Sequence, residues 1–304
     1  MPAPRVLITG AGGFTGQHLI AALQARGMTT IALNRHTTGS HLDGEEIVCD
    51  ICQPQTLAQA LAETQPDYVI HLAAISFVAH QQLEAFYQVN LLGTSYLLDA
   101  LVALPYTPKK IVIASSANVY GNPGMDPIDE DCCPSPINHY AISKLAMEHL
   151  VMSWFKRLPL IITRPFNYTG PGQDPRFLIP KLVAHYQRRS PVIELGNTDI
   201  RRDFLDIRDV VALYADLLAS PVHSEIINLC SGVAVSLDEI LAMLNAIAGY
   251  TIEVQVNPEF VRDNEIRTLC GNPQKWQQLL GKRPLYSMRE TLQWMYQTGL
   301  SAAP

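Results

Sequence analysis

Six short runs rich in Val, Ile and Leu recur through the first half of this chain: RVLITG (5–10), TTIALN (29–34), EIVC (46–49), DYVIHLA (67–73), KIVIASS (110–116) and LIITRP (160–165). They do not alternate polar with apolar residues, so each suits a strand covered on both faces. Between them lie stretches of helical periodicity over 13–26, 54–63, 80–104 and 138–157. Strands buried on both faces and joined by amphipathic helices pack with right-handed crossovers. The pattern predicts an α/β fold built on a doubly wound parallel sheet.

Past residue 170 the rhythm changes. GPGQDP is a loop-forming cluster. Shorter segments follow: helix 175–188, strand 191–195, helix 208–219, strand 225–229, helix 236–248, strand 251–256, then helical segments near 273–281 and 287–298. The expected division is a nucleotide-binding domain over 1–170 and a smaller C-terminal α/β substrate lobe over 171–304, with 205–230 returning to the main sheet. A length of 304 residues agrees with more than one compact core.

Composition removes several function classes. With a net charge of −6 there is no excess of Lys and Arg to neutralise a phosphate backbone, so nucleic acid is not an expected partner. No apolar stretch approaches the length of a membrane span. The start MPAPRVLITG enters a strand without a cationic leader, and the expected location is cytoplasmic. Six cysteines (Cys49, Cys52, Cys132, Cys133, Cys230, Cys270) then read as reduced thiols. Cys49-x-x-Cys52 has no second pair of matching spacing, so no metal site is expected.

TGAGGFTG (9–16) follows the first strand and opens the first helix, with Gly10, Gly13 and Gly16 three apart. Glycines there permit a tight turn, close approach to a pyrophosphate and tight helix–strand packing. The helix start, at Phe14 and Thr15, adds amide donors and a favourable dipole. This makes the sheet Rossmann-type. At the end of the second strand, where an acid would bond the ribose of NAD, stand Asn34 and Arg35. A guanidinium without a neighbouring carboxylate suits a 2′-phosphate, so NADP(H) is favoured, with NAD(H) as the alternative. Arg35 otherwise points into solvent.

SSANVYG (115–121) and YAISK (140–144) acquire a role beside such a site. Tyr140 and Lys144 are i and i+4 on a predicted helix and share one face. A nearby ammonium lowers a tyrosine's pKa and suits it to exchange a proton with a carbonyl or hydroxyl oxygen. Ser116 or Ser115, ending the preceding strand, can hold the same oxygen.

Taken in order, these motifs resemble those of the extended short-chain dehydrogenase/reductases that act on nucleotide sugars. Further matching stretches are CDI (49–51), HLAA (71–74), NLLGT (90–94), RPFNYTGPG (164–172) and RRDFLDIRDV (201–210). The resemblance covers nearly the whole chain. It implies a catalytic set of Ser116, Tyr140 and Lys144. Asp50 and Ile51 would contact the adenine, and Leu72, Ala73, Ala74 and Asn90 would line the cofactor channel.

Within that family, 4,6-dehydratases carry an acid and a base just after the catalytic hydroxyl. Here Ala117 and Asn118 stand there, and neither titrates. Members that epimerise before reducing carry a Cys at the position of Asn118 and a His near that of Gly172, both absent. Simple reduction and C4 epimerisation remain. The downstream stretches RPFNYTGPGQDPRFLIPKLV, INLCSG and RDNEIRTLCGNPQKWQQLLGKRP resemble the GDP-6-deoxy-D-mannose reductase branch. That resemblance implies NADPH-dependent reduction of a GDP-linked 4-keto sugar, hexose or heptose. Arg202 and Arg262 would hold its pyrophosphate, Asn167 and Lys181 would assist, and Ser76 would meet the sugar. Arg262 could instead pair with Glu259 or Asp263. His71 ends a buried strand and reads as a core residue; nothing requires His80 or His139. The competing readings are an NAD-dependent C4 epimerase of a UDP- or GDP-hexose and a non-catalytic NADP-binding sensor. The helices around 80–104 and 138–157 would pair as a four-helix homodimer interface by the same resemblance, or else belong to the intramolecular core.

Overall fold

The computed structural model describes residues 2–37, 44–76, 82–261 and 266–301. In chain order the first half runs β1 (Arg5–Thr9), α1 (Phe14–Gln24), β2 (Thr29–Asn34), β3 (Glu45–Val48), α2 (Pro54–Thr64), β4 (Tyr68–His71), α3 (Leu83–Phe86), a π-helical segment (Tyr87–Gly93), α4 (Thr94–Val102), β5 (Lys110–Ala114), α5 (His139–Met152) and β6 (Leu160–Pro165). The second half runs β7 (Asn167–Thr169), α6 (Leu178–Gln187), β8 (Val192–Leu195), β9 (Arg201–Asp206), α7 (Ile207–Ala219), β10 (Glu225–Leu229), β11 (Ala234–Ser236), α8 (Leu237–Ala248), β12 (Glu253–Val256), β13 (Thr268–Leu269), α9 (Gln274–Leu280) and α10 (Met288–Ser301).

Seven strands form the central sheet in the order β10-β6-β5-β4-β1-β2-β3, with every pair parallel. Sheet growth reverses between β1 and β4, which opens a crevice at their carboxyl ends. Alternate residues of each strand serve opposite cores. Val6 and Ile8 of β1 pack with Leu19, Leu23, Val210 and Tyr214 of α1 and α7. Leu7, between them, packs with Leu57, Leu97, Leu98 and Met147 of α2, α4 and α5. Two covered faces account for runs without polar alternation.

The smaller lobe rises from the carboxyl side. β9 is flanked by β11 and β13 and also pairs with β7, while β8 and β12 form a separate parallel pair. Its core joins Leu182 and Tyr186 of α6, Ile240 and Leu244 of α8, and Leu292 of α10. Among the described residues no helix is long and apolar enough to cross a membrane.

Two expectations change. The helix expected over 80–104 is described from Leu83 and is broken by the π-helical turn over Tyr87–Gly93. There Gly93 is buried against Ile51, and a Cβ would come within 2.7 Å of the Ile51 Cδ1. Strands expected over 67–73 and 110–116 end at His71 and Ala114, so Leu72, Ala73, Ser115 and Ser116 lie in loops at the sheet's carboxyl edge. The sheet around β9 had no counterpart in the pattern, because its strands are short and rich in polar residues.

Candidate active site

At the carboxyl edge of β1 the chain turns through Gly10 at φ +69°. A Cβ there would lie 2.8 Å from the Ala73 backbone, so glycine is required where the loops after β1 and β4 meet. A Cβ on Gly16 would lie 2.4 Å from the Ala11 carbonyl oxygen, which fixes how closely α1 approaches the turn. No side chain caps α1 at Gly13, which leaves first-turn amides for an anion at the positive end of the helix. This backbone cradle fits a dinucleotide pyrophosphate, and any side chain at Gly10 would push the loop after β4 away from it.

Asn34 is buried. Its Oδ1 accepts from the Gly12 amide at 2.7 Å and its Nδ2 donates to Glu46 at 3.1 Å, so it braces the glycine turn. Arg35 beside it is exposed and reaches the His36 ring. Asp50 accepts from the Cys52 amide at 2.9 Å and Ile51 is buried against the π-helical turn.

The candidate catalytic cluster stands at the end of β5. Tyr140 and Lys144 emerge from the first two turns of α5, which Asn138 caps through the Ala141 amide. Lys144 is buried and gives its Nζ to the Ala114 carbonyl at 2.7 Å. Burial lowers its pKa to about 8, opposed by Glu148 one turn on. Burial raises the Tyr140 phenol to about 12, while the neighbouring Ser116 hydroxyl pulls it down. Ser115 carries the only buried side-chain oxygen or nitrogen without a partner among the described residues.

Several supporting residues escaped the sequence reading, and Asn90, which it placed in the cofactor channel, proves to brace the fold. Glu148 takes Arg164 in a two-pronged buried bond, Nε to Oε1 at 3.0 Å and Nη2 to Oε2 at 2.6 Å. Arg164 also gives Nη1 to the Tyr120 hydroxyl, which in turn donates to Asn228. This network ties α5 to β6 and β10 and holds the helix that carries Tyr140. The spacing of Lys144 and Glu148, one helical turn apart, was its available signal. Asn90, fully buried, accepts from the Ile75 amide and gives Nδ2 to Ser143, anchoring the loop after β4 to α5. Tyr168 meets Thr15 at 2.8 Å and stacks on Phe14, joining the start of α1 to β7.

The residues assigned to the substrate occupy the smaller lobe or its approaches. Asn167 donates to the Asp203 carbonyl at 3.4 Å. Arg202 donates to the carbonyls of Arg201 and Arg267, and Arg201 projects to the opposite side toward Ala234 and Glu239. Lys181 gives Nζ to the Glu194 carbonyl and lies 4.9 Å from the Phe260 ring centre. Ser76 is exposed. Arg262 and His80 lie outside the described residues. Asp203 proves structural: its buried carboxylate accepts from Ser231, Gly232 and Gly271.

Comparison with known proteins agrees with this geometry. The sequence profile of the NAD dependent epimerase/dehydratase family matches residues 6–230. A GDP-6-deoxy-D-talose 4-dehydrogenase of Aggregatibacter actinomycetemcomitans is 33% identical, covering 97% of this chain and 98% of its own. A GDP-6-deoxy-D-mannose reductase of Pseudomonas aeruginosa is also 33% identical, covering 95% and 94%. Among solved structures, one from Burkholderia cenocepacia, provisionally described as an epimerase, superposes with a TM-score of 0.93 at 42% identity, covering 99% of each chain. RMD from Pseudomonas aeruginosa complexed with NADPH superposes at 0.84 with 30% identity, covering 98% of this chain and 100% of its own. A Rossmann-type sheet, a glycine turn suited to NAD(P) and this extent of similarity place the chain in the NAD dependent epimerase/dehydratase family, the extended short-chain dehydrogenase/reductases.

Proposed function

We propose that this protein reduces the 4-keto group of GDP-4-dehydro-6-deoxy-D-mannose to give GDP-6-deoxy-D-mannose (GDP-D-rhamnose), using NADPH. The observation that carries the reading is the buried Tyr140–Lys144 pair beside Ser116 at the sheet's carboxyl edge. It occurs in a chain with two relatives at 33% identity that bear the names of GDP-6-deoxyhexose enzymes, while UDP- and dTDP-sugar enzymes match at 28–29%. NADPH supplies the hydride. Tyr140 supplies the proton to the carbonyl oxygen, and Ser116 holds that oxygen. The Lys144 ammonium favours the ionised phenol that remains. Gly10, Gly13, Phe14, Thr15 and Gly16 form the pyrophosphate cradle, and Leu72, Ala73 and Ala74 border the channel, with the buried Asn90 holding their loop from behind. Arg35 takes the 2′-phosphate. Arg202 and Arg262 bind the GDP pyrophosphate, with Asn167, Lys181 and Ser76 around the sugar. The exposed apolar residues Leu83, Leu92 and Ile142 support a homodimer formed through α3 to α5.

An NAD-dependent C4 epimerase is the second reading. It is favoured by the Burkholderia cenocepacia structure and by Glu46, which brings a carboxylate to the end of β2. The deciding assay follows absorbance at 340 nm with NADPH and the keto sugar made in the same tube by a dehydratase, then identifies the product by NMR. Stoichiometric oxidation giving GDP-6-deoxy-D-mannose, reduced by about 100-fold or more in Tyr140→Phe, is expected. A 6-deoxy-talose product would keep the reductase and reverse the sugar face presented. Untouched NADPH, with bound NAD and interconversion of nucleotide hexoses, would establish the epimerase.

A further inference from the structure

Ser116 Oγ receives two donors from one residue, the Asn118 backbone amide at 3.2 Å and the Asn118 Nδ2 at 3.1 Å. A serine hydroxyl has two lone pairs and one proton. With both lone pairs taken, the remaining hydrogen bond is one that Ser116 must give. We infer that Asn118 is a positioning residue that fixes Ser116 as a donor, aimed at the oxygen Tyr140 protonates.

The local fold is built for this polarity. Ser116 caps the 3-10 turn over Ala117–Tyr120, which sets the Asn118 amide against Oγ and brings its short side chain back to the same atom. A carboxylate at 118 would take the Ser116 proton, and a thiol is too weak a donor to hold a lone pair reliably. An amide donates without titrating. The consequence is directional. A donor at this point strengthens as negative charge grows on the carbonyl oxygen or remains on the phenol, whereas an acceptor would oppose it. The pull that Ser116 exerts on Tyr140, against burial and the nearby Tyr168, has the sign expected of a donor.

The inference rests on Tyr140 as the proton donor but not on which sugar is reduced, and its test is chosen accordingly. Protein labelled with 13C at the tyrosine ζ carbon is titrated as its NADP+ complex, in wild type, Asn118→Ala, Ser116→Ala and the double variant. The cofactor's nicotinamide cation brings the Tyr140 titration downward into reach. Asn118→Ala frees a lone pair on Ser116 and is expected to raise the Tyr140 midpoint by about one pH unit. Ser116→Ala should raise it at least as far, and adding Asn118→Ala to it should change nothing more. Asn118→Asp should shift the midpoint further than Asn118→Ala, and kcat should fall in the same order. An Asn118→Ala effect that persists without Ser116, or an Asn118→Asp protein that titrates like wild type, overturns the inference. No sugar nucleotide enters the titration. If the cycle closes while NADPH reduction fails, the proposed reaction falls and the positioning role stands.

Discussion

Lys144 carries its charge where water does not reach, and that has a sign. Burial holds its pKa near 8, against 10.5 for an ordinary lysine. Between these values the unfolded chain binds the proton and the folded one does not, so folding gains stability as pH rises from about 8. The gain is at most about 1.4 kcal/mol per pH unit. Tyr140, raised to about 12, works the other way above pH 10, and the thiols that burial raises from 9, Cys52 and Cys270 among them, do so from about pH 9, which leaves pH 8 to 9 as the window where the lysine dominates. Urea denaturation across that window should show the stability of wild type rising relative to that of Lys144→Met, the thiols being common to both; equal slopes would refute the buried ammonium. Arg35 is the contrasting case, an exposed charge beside the His36 ring. Arg35→Ala should raise the KM for NADPH about tenfold, the loss of roughly one charge-assisted bond, and leave the KM for NADH unchanged. A matching change with both cofactors would remove Arg35 from the 2′-phosphate.

Helices and strands place these residues by hydrogen bonds whose direction can be followed. The Ala73 amide donates to Thr9 Oγ1, and Thr9 meets His71 Nδ1 at 2.7 Å. His71 Nε2 meets Thr94 Oγ1 at 2.9 Å, and Thr94 gives its proton to the Asn90 carbonyl. Thr94 is therefore the acceptor from Nε2–H, and His71 Nδ1 accepts from Thr9. One neutral tautomer satisfies the whole chain across β1, β4 and α4. Burial, with help from Lys144, drives the His71 pKa down to about 3 from 6.5. The folded state thus binds fewer protons in that range, and stability present above pH 6.5 is lost as pH falls toward 3. His71→Asn should lower stability at pH 7 yet flatten its acid decline by up to about 1.4 kcal/mol per pH unit, read as urea midpoints between pH 4 and 6.5. An unchanged acid limb would show that His71 is not the group being protonated. Much of this layer was legible in the sequence. Long apolar runs announced the central strands, and the i, i+4 spacing put Tyr140 and Lys144 on one face. The hydrogen-bonded partners were not, because Thr9, Thr94 and Asn90 are remote in the chain and meet only when two strands and a helix pack. The π-helical turn was hidden for a similar reason: Tyr87–Gly93 has ordinary helical periodicity, and only packing against Ile51 bears on its widening.

At the scale of the whole molecule, the chain folds back through its own core. One face of the sheet is covered by α1 and α7, and α7 lies beyond residue 170 in sequence. Trp276 of α9 is buried in that same core and donates to the Cys230 carbonyl at 3.1 Å. Trp294 of α10 packs against it. The stretch RRDFLDIRD, legible as a motif, turns out to clasp these parts together. Asp206 caps α7 and receives Arg208 and Thr291, and Asp209 accepts the Leu285 and Tyr286 amides. Arg208 lies 3.5 Å from the Tyr286 ring centre and 4.1 Å from that of Trp294. A fragment ending at residue 170 would keep β1, β4, β5 and β6 but lose α7, leaving Val112 and Ile161 without the helix that covers them. Such a fragment should fail to give a folded, soluble sheet, seen as a lost near-UV spectrum without a cooperative urea transition. The full chain should instead unfold as one unit, with tryptophan fluorescence and circular dichroism sharing a midpoint. Thr291→Val, which deletes the bond to Asp206, should lower stability by about 1 kcal/mol and move both midpoints together. If the fluorescence transition of Trp276 and Trp294 moves ahead of the backbone signal, the lobe unfolds separately. The clasp would then not bind the α9–α10 end to the rest of the chain.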